Sequence, residues 1–156
     1  MSITTPAQLA KYIKGKKNVL VLAGYLCDEV EFNGKKLSDY AAEVALRLDV
    51  PVAATGNSVV ALKQKGARAA KKVALGLVEM LRYKEWRDPV TASRPDLLVL
   101  IGYPREVARA LVTAARGVET VVLGTSVVEE ATYSLGDASL SQYQRNLEGL
   151  VKRLAA

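Results

Sequence analysis

The chain has 156 residues, half of them hydrophobic, and a formal net charge of +6. This length suits about one domain with a substantial core, and no apolar run approaches the roughly 18–20 residues that span a membrane. The sequence contains no histidine and a single cysteine, Cys27. These absences exclude a Ser-His-Asp triad, a histidine-ligated metal, and a cysteine-rich iron–sulfur cluster or structural zinc held by this chain alone.

The first residues predict a helix rather than a leader sequence. Thr5 suits the N-cap, Pro6 suits the first helical position, and Gln8 completes a capping box with Thr5. The segment lacks the charged-then-apolar order and the small-residue cleavage site of a signal peptide. Because a single cysteine also allows no intrachain disulfide, we expect the chain to work in the cytoplasm.

Four short apolar runs, of the kind that forms buried parallel strands, each stop at a glycine. They are Val19–Ala23 before Gly24, residues 51–55 before Gly56, Leu97–Ile101 before Gly102, and residues 120–123 before Gly124. In an open α/β sheet the carboxyl ends of the strands form the crevice where ligands bind, and glycine lets the backbone come close to a ligand. The pattern therefore predicts where a binding surface lies.

Stretches with apolar residues at helical spacing separate these runs. The first covers residues 37–48, and the strands on either side of it complete a βαβ unit. A second, short helix is predicted to end near Gly66, with Asn57 or Ser58 as its cap. A third covers residues 71–83, although the part around residues 72–75 also fits an additional short strand.

The last two predicted helices follow the third and fourth strands. One covers residues 105–115, and the other begins after a second capping box, formed by Ser139 and Gln142. Their inward faces are predicted to carry Val107, Ala108, Leu111, Val112 and Ala115 in the first helix, and Leu140, Tyr143, Leu147, Leu150, Val151 and Leu154 in the second. Strands that are apolar throughout need helices on both faces. The sequence therefore predicts a single three-layer α/β/α domain over residues 1–156, with a mainly parallel sheet.

The strand-end loops are the candidate ligand site. Their backbone N–H groups, hydroxyls and amide, placed at helix starts, suit a phosphate, a ribose or the edge of a flavin ring, and two tyrosines offer a surface for stacking. The candidate cofactor-binding residues are Gly24, Tyr25, Thr55, Gly56, Asn57, Ser58, Gly102, Tyr103, Gly124, Thr125 and Ser126. The same residue types are ordinary turn and cap formers, so a purely structural role stays open.

No catalytic residue and no metal site is predicted. Neither Gly-x-Gly-x-x-Gly after a strand nor Gly-x-x-x-x-Gly-Lys-Ser/Thr occurs, so a standard dinucleotide fingerprint and a P-loop are both missing. Asp28 and Glu29, beside Cys27, are the acidic cluster near a strand end, and no partner group for them is identifiable. Cys27 is interpreted as a small buried hydrophobe, with a reactive thiol as the alternative.

Two further features concern partners. The densest run of charge comprises Lys63, Lys65, Arg68, Lys71 and Lys72. Without interleaved aromatic residues or a recognised motif, it does not predict sequence-specific binding of nucleic acid. It indicates a solvated helix surface, with an acidic protein partner or non-specific nucleic-acid binding as the alternatives. Trp86 is read either as an interface anchor or as a ring folded over the core.

Several segments together resemble one known family. They are the Pro-Val-Ala-Ala-Thr-Gly-Asn-Ser run at residues 51–58, Lys65-Gly66, residues 83–86, and the Ala-Thr-Tyr-Ser-Leu-Gly-Asp run at residues 131–137. In order and spacing they resemble the epsilon subunits of the archaeal acetyl-CoA decarbonylase/synthase complex, which contains a carbon monoxide dehydrogenase. The resemblance covers nearly the whole chain.

The resemblance implies a fold like the NAD/FAD-binding domains of the deoxyhypusine-synthase type. It also implies a non-catalytic subunit that stabilises the large alpha subunit, which carries the nickel–iron–sulfur centre. FAD-linked electron transfer during CO oxidation is a further implied role, and a homo-oligomer is compatible with it. Neither nucleic acid nor a membrane is an expected partner. The alternatives are a stand-alone FAD- or nucleotide-binding protein and a nucleotide-dependent enzyme of unrelated chemistry.

Overall fold

A computed structural model describes residues 2–56, 58–72, 74–81, 94–115 and 117–155 of the chain. The strands within these ranges are β1 (Ser2–Ile3), β2 (Val19–Ala23), β3 (Glu31–Phe32), β4 (Lys35–Lys36), β5 (Val52–Ala54), β6 (Ala69–Lys71), β7 (Leu97–Ile101), β8 (Glu119–Leu123) and β9 (Tyr133–Ser134). The helices are α1 (Pro6–Lys14), α2 (Leu26–Glu29), α3 (Leu37–Leu48), α4 (Ser58–Gln64), α5 (Ala74–Met80), α6 (Arg105–Ala114) and α7 (Leu140–Ala155). None of the helices in the described ranges is both long enough and apolar enough to cross a membrane.

Seven strands form one sheet in the order β1-β9-β8-β7-β2-β5-β6, and every neighbouring pair in it is parallel. From β2 the chain passes through α3 to β5 on one side, and it later returns to β7 on the other side of β2. The connections therefore diverge between β2 and β7. In open α/β sheets such a switch point is where the ligand crevice lies.

The residues of each central strand alternate between two hydrophobic cores. Val21 of β2 packs in a core with α1, α3, α4 and α7, whereas Leu20 and Leu22 pack in a second core with α5 and α6. Helices therefore cover both faces of the sheet. This confirms the predicted α/β class and mainly parallel sheet, and it fits the three predicted layers. The likeness to one particular NAD/FAD-binding fold stays a prediction.

Local signals at the amino terminus are confirmed in detail. Thr5 is the N-cap of α1, its hydroxyl accepts from the Gln8 N–H, and the Gln8 side chain bonds back to the Thr5 N–H, which completes the capping box. At α7 only half of the predicted box forms. Ser139 accepts from the Gln142 N–H at 3.2 Å, but the Gln142 side chain bonds Asn146 and Arg145 within the helix.

Two residues predicted on inward helix faces are instead exposed. Val107 of α6 is 42% exposed and Leu140 of α7 is 51% exposed, while the remaining predicted inward residues of these helices are buried. Both exposed residues belong to the first turn of their helix. Helical periodicity indicates which residues share a face, but it does not indicate how far along the helix that face is covered.

The additional strand and the chain after it also differ from the prediction. The strand is β6 at Ala69–Lys71 rather than at residues 72–75, because the Val52 N–H donates to the Arg68 carbonyl and the Lys72 N–H to the Ala54 carbonyl. Helix α5 starts at Ala74, so the helix predicted over residues 71–83 begins too early. Helix α5 ends at Met80. The predicted end at residue 83, Trp86 and the Tyr83–Trp86 part of the resemblance lie outside the described residues.

A small hairpin that was not among the predicted elements follows the first strand-end loop. Strands β3 and β4 pair antiparallel across Asn33 and Gly34, which have φ values of 46° and 89°. Asn-Gly is the residue pair that a two-residue hairpin turn with positive φ favours. The signal was present in the sequence, but the flanking strands of two residues each are too short to show an alternating pattern.

Candidate functional site

The four strand-end loops lie side by side along the carboxyl edge of the sheet. Since β8, β7, β2 and β5 are consecutive in the sheet, the loops that begin at Gly124, Gly102, Gly24 and Thr55 are neighbours in that order. The predicted candidate residues are therefore brought together as a row. The contacts within the row differ from one loop to the next.

The loops after β2 and β7 close on each other through their backbones. The Gly24 N–H donates to the Ile101 carbonyl at 2.8 Å. A Cβ atom on Gly24 would lie 2.6 Å from Cδ1 of Tyr103, and one on Gly102 would lie 3.1 Å from the Gly24 carbonyl oxygen. Gly102 also has a φ of 85°, which side-chain-bearing residues rarely adopt. At the switch point these two glycines therefore allow the backbones of the two loops to pack against each other.

Helix α2 lies at the switch point and packs against both of these loops. The Leu26 N–H donates to the Gly102 carbonyl at 2.9 Å, and the Cys27 N–H to the Gly24 carbonyl at 3.1 Å. The Cys27 side chain is fully buried, with Sγ 3.6 Å from the Ile101 carbonyl oxygen. Burial, reinforced by the charge of Asp28, raises the pKa of the thiol to about 12. Cys27 thus packs as the predicted small buried hydrophobe.

The loop after β5 is anchored to the same cluster. The Ser58 hydroxyl lies 3.3 Å from the Gly24 carbonyl oxygen and 3.1 Å from Oδ2 of Asp28. Ser58 is the first residue of α4, and its side chain is bonded to these neighbours instead of capping the helix, so its predicted capping role is wrong. Gly56 is exposed with a φ of 56°. The alternative cap, Asn57, lies outside the described residues.

A small cavity separates the loop after β7 from the loop after β8. It has a volume of about 80 Å³. Its lining includes the Tyr103 ring, the start of α6, and the predicted residues Gly124, Thr125 and Ser126. The Tyr103 hydroxyl is buried without a hydrogen-bond partner in the described structure, and burial raises its pKa. The Thr55 hydroxyl, in the loop after β5, is likewise buried and unpartnered.

The loop after β8 is held in place by bonds that reach into other segments. The Arg105 Nε donates to the Val127 carbonyl at 3.0 Å, and the Val127 N–H donates to Oδ1 of Asp137 at 2.8 Å. The Ala138 N–H donates to the Thr125 carbonyl at 3.0 Å. Hydrogen bonds to α6 and to the segment after β9 therefore fix this side of the crevice.

At the strand-end loops, the described residues supply polar groups for one edge of a cofactor but not a space for a whole one. Pockets that enclose ligands usually measure about 300–1,000 Å³, and the cavity beside Tyr103 has about 80 Å³. Its hydroxyls and the N-terminus of α6 suit a phosphate or a ribose hydroxyl. The ring system of a flavin does not fit. Tyr25, predicted as a stacking residue, is 49% exposed and is not among the residues that line this cavity.

Several residues of the crevice were not among the predicted site residues, including Pro104, Arg105, Ala108, Val122 and Val128 of the cavity lining. Leu26 lines the cavity, and Asp28 accepts from Ser58. The acidic cluster beside Cys27 was visible in the sequence, but its partner is 30 residues away along the chain. In the described residues no group of three or more cysteine, aspartate or glutamate side chains is arranged to hold a metal ion.

Comparison with known proteins gives the family context of this fold. No family model matches the chain. It is 26% identical over 153 residues to "Acetyl-CoA decarbonylase/synthase complex subunit epsilon 1" of Methanosarcina barkeri, an alignment that covers 96% of this chain and 87% of that protein. The chain is similar to epsilon subunits over nearly its whole length. It is also 26% identical over 149 residues to subunit epsilon 2 of Methanosarcina mazei, covering 94% and 85% of the two chains.

The resemblance to epsilon subunits that the motifs indicated is therefore confirmed. The motifs themselves serve the fold. The first run supplies β5 and the start of α4, and the Ala131–Asp137 run contains β9 and the aspartate that fixes the loop after β8. The two runs that resemble epsilon subunits thus shape the carboxyl edge of the sheet.

Proposed function

We propose that this chain is an accessory, epsilon-type subunit of a cytoplasmic acetyl-CoA decarbonylase/synthase complex, where it binds and stabilises the large alpha subunit of the CO dehydrogenase component. The observation that carries the proposal is the similarity, across nearly the whole chain, to two proteins named as epsilon subunits of that complex. The site geometry supports an accessory role, since the backbones of the loops after β2 and β7, together with α2, pack tightly at the switch point.

Binding and stabilisation are tested together with the purified chain and the alpha subunit from the same organism. We expect the two to co-elute in a fixed ratio, and we expect the chain to raise the unfolding temperature of the alpha subunit, because a ligand that binds the native state stabilises it. A basic protein of similar size serves as the control and should do neither. A chain that stays monomeric and never co-elutes would contradict the proposal.

A second candidate function is FAD binding at the strand ends, in support of electron transfer. It is favoured by the buried hydroxyls of Tyr103 and Thr55, which have no partner among the described residues, since buried polar groups in native proteins normally have partners. The cavity of about 80 Å³ argues against an enclosed flavin. The fit is therefore to a polar edge of the cofactor, held by Thr125, Ser126 and the start of α6.

This second candidate is tested by titrating the chain with FAD while flavin fluorescence is followed, alone and with the alpha subunit present. If the polar groups hold FAD, the Tyr103→Phe and Thr55→Val variants should each weaken binding several-fold, because each removes one hydrogen bond to the ligand. Unchanged fluorescence at high micromolar protein in both settings would refute FAD binding.

A further inference from the structure

A concentration of basic side chains in the described residues lies at the amino edge of the sheet, opposite the crevice. Helices α1, α3 and α7 all end there, because each runs against the direction of the parallel strands. The basic residues in their last turns include Lys11 and Lys14 of α1, Arg47 of α3, and Arg153 of α7. Lys16 and Lys17 join them from the segment that leads into β2.

These six residues, which we call the basic face, line two adjoining hollows. One hollow of about 360 Å³ is lined by Lys11, Lys14 and Arg153 together with Ala7 and Ala10. The other, of about 240 Å³, is lined by Lys14, Lys16, Lys17 and Arg47 with apolar side chains from β2, α3 and α7. Lys14 borders both, so the two hollows lie next to each other. No acidic side chain is among the described residues that line them.

Negative charge close to these cations neutralises part of their charge, but not all of it. A helix C-terminus carries about half a negative charge, so three of them give roughly −1.5. Glu119 pairs with Lys16 at 3.0 Å, and the Asp96 carboxylate accepts from the backbone N–H groups of Lys17 and Asn18. The five cations of the basic face other than Lys14 still outnumber these two carboxylates and the three partial charges of the helix ends taken together.

The mixture of charge and apolar surface indicates the kind of partner. Protein interfaces combine an apolar centre with a polar rim, and lysine stems can cover apolar surface while their ammonium groups stay in water. Single-stranded nucleic acid is usually gripped by aromatic side chains between the cations. The described lining of the two hollows contains alanine, isoleucine, leucine and valine but no aromatic residue.

We propose that the basic face is the docking surface for an acidic segment of a partner subunit, whose carboxylates enter the two hollows. The inference rests on the proposed function, since the partner is taken to be the alpha subunit of the complex. It assigns the contact to the amino edge of the sheet and not to the strand-end crevice. The run Lys63–Lys72 is a poorer surface, because Lys65 pairs with Asp39 at 2.7 Å and Arg68 with Asp49 at 3.3 Å.

The test compares two double variants that change net charge equally. Lys11→Glu/Arg153→Glu reverses charge on the basic face, and Lys63→Glu/Lys71→Glu does so at exposed positions elsewhere. Binding to the immobilised alpha subunit is measured between 50 mM and 500 mM salt. We expect about tenfold weaker binding for the first variant and less than twofold for the second, with wild-type binding falling as salt rises. Lys11→Gln/Arg153→Gln, which disturbs the helix ends less, should lie between the two.

The outcomes separate the two proposals. If wild type binds the alpha subunit but both reversals bind equally well, or if binding is flat in salt, the docking surface is wrong while the proposed function stands. If wild type does not bind at all, both fail. Tight binding of single-stranded DNA or RNA that only the basic-face variant loses, with alpha-subunit binding intact, would identify the face as a nucleic-acid site and overturn the inference.

Discussion

The two edges of the sheet differ in how charge and space are distributed. At the carboxyl edge, Gly24, Gly102 and Cys27 pack tightly, and the cavity beside them holds about 80 Å³. At the amino edge, cations surround open hollows of about 360 and 240 Å³. Among the described residues, the edge where an α/β fold usually binds ligands is tightly packed, and the opposite edge is exposed and charged. This contrast supports the proposed accessory role.

The largest expected effect tests whether the carboxyl edge is as closed as the geometry indicates. In Gly102→Ala the new Cβ would press on the Cys27 side chain and lie 3.0 Å from its backbone N, at a φ of 85°. Crowding and backbone strain together should lower the free energy of unfolding by about 3–5 kcal/mol. Gly117→Ala is the matched control at the amino edge, because Gly117 has a φ of 80° and open space around it. Gly117→Ala should lower the free energy of unfolding by about 1 kcal/mol. Urea titration measures both variants, and equal losses would show that the switch point is not tightly packed.

A second pair of variants tests whether two glycines that each directly follow a strand, Gly24 and Gly124, have the same packing role. Gly24→Ala meets the Tyr103 ring at 2.6 Å, so we expect a loss of about 2–3 kcal/mol from overpacking. Gly124→Ala meets its neighbours only at 3.8 Å and beyond, and its stability should stay within about 0.5 kcal/mol of wild type. Thermal unfolding followed by circular dichroism measures both. A Gly124 variant as unstable as the Gly24 variant would mean that all the strand-end glycines have one common role.

The pH dependence of stability reports on the buried thiol of the carboxyl edge. Its pKa is raised in the folded state from 9.0 to about 12, so the folded protein holds this proton more tightly than the unfolded chain does. Stability is therefore fully present below pH 9 and falls as pH rises toward 12, by about 1 kcal/mol per pH unit from this group. Between pH 9 and 10.5, wild type should lose stability more steeply than Cys27→Ala. Parallel curves would place the thiol in contact with water.

The smallest effect concerns the unpartnered hydroxyl beside the cavity. Tyr103→Phe removes a buried group that makes no hydrogen bond to the described part of the chain, so stability should be unchanged or rise by up to about 1 kcal/mol. Tyr143→Phe is the control, because the Tyr143 hydroxyl donates to the Leu123 carbonyl at 2.6 Å, and its loss should cost about 1–2 kcal/mol. A comparable loss in both variants would show that Tyr103 has a polar partner, and the case for a ligand group there would weaken.

Much of the fold could be predicted because its signals are local. The Thr5 capping box depends on residues three positions apart, and the apolar runs of β2 and β7 have the bounds that the sequence indicated. The strand-end row was predicted for the same reason, since each strand and its glycine are adjacent in sequence. What each glycine does there was not predicted. Gly24 and Gly102 are 78 residues apart, and only the pairing of β2 with β7 brings them into contact.

The sequence by itself determined the α/β class, the helix faces and the likeness to epsilon subunits, because nearest neighbours along the chain set secondary structure and because the motifs are contiguous. The tertiary structure alone decided which edge is closed and where charge accumulates. Lys11, Arg47 and Arg153 are far apart in sequence, and each looks like an ordinary helix-end cation. They share one face because the parallel sheet brings the ends of α1, α3 and α7 to the same edge, and strand order is set by long-range packing that no local pattern encodes.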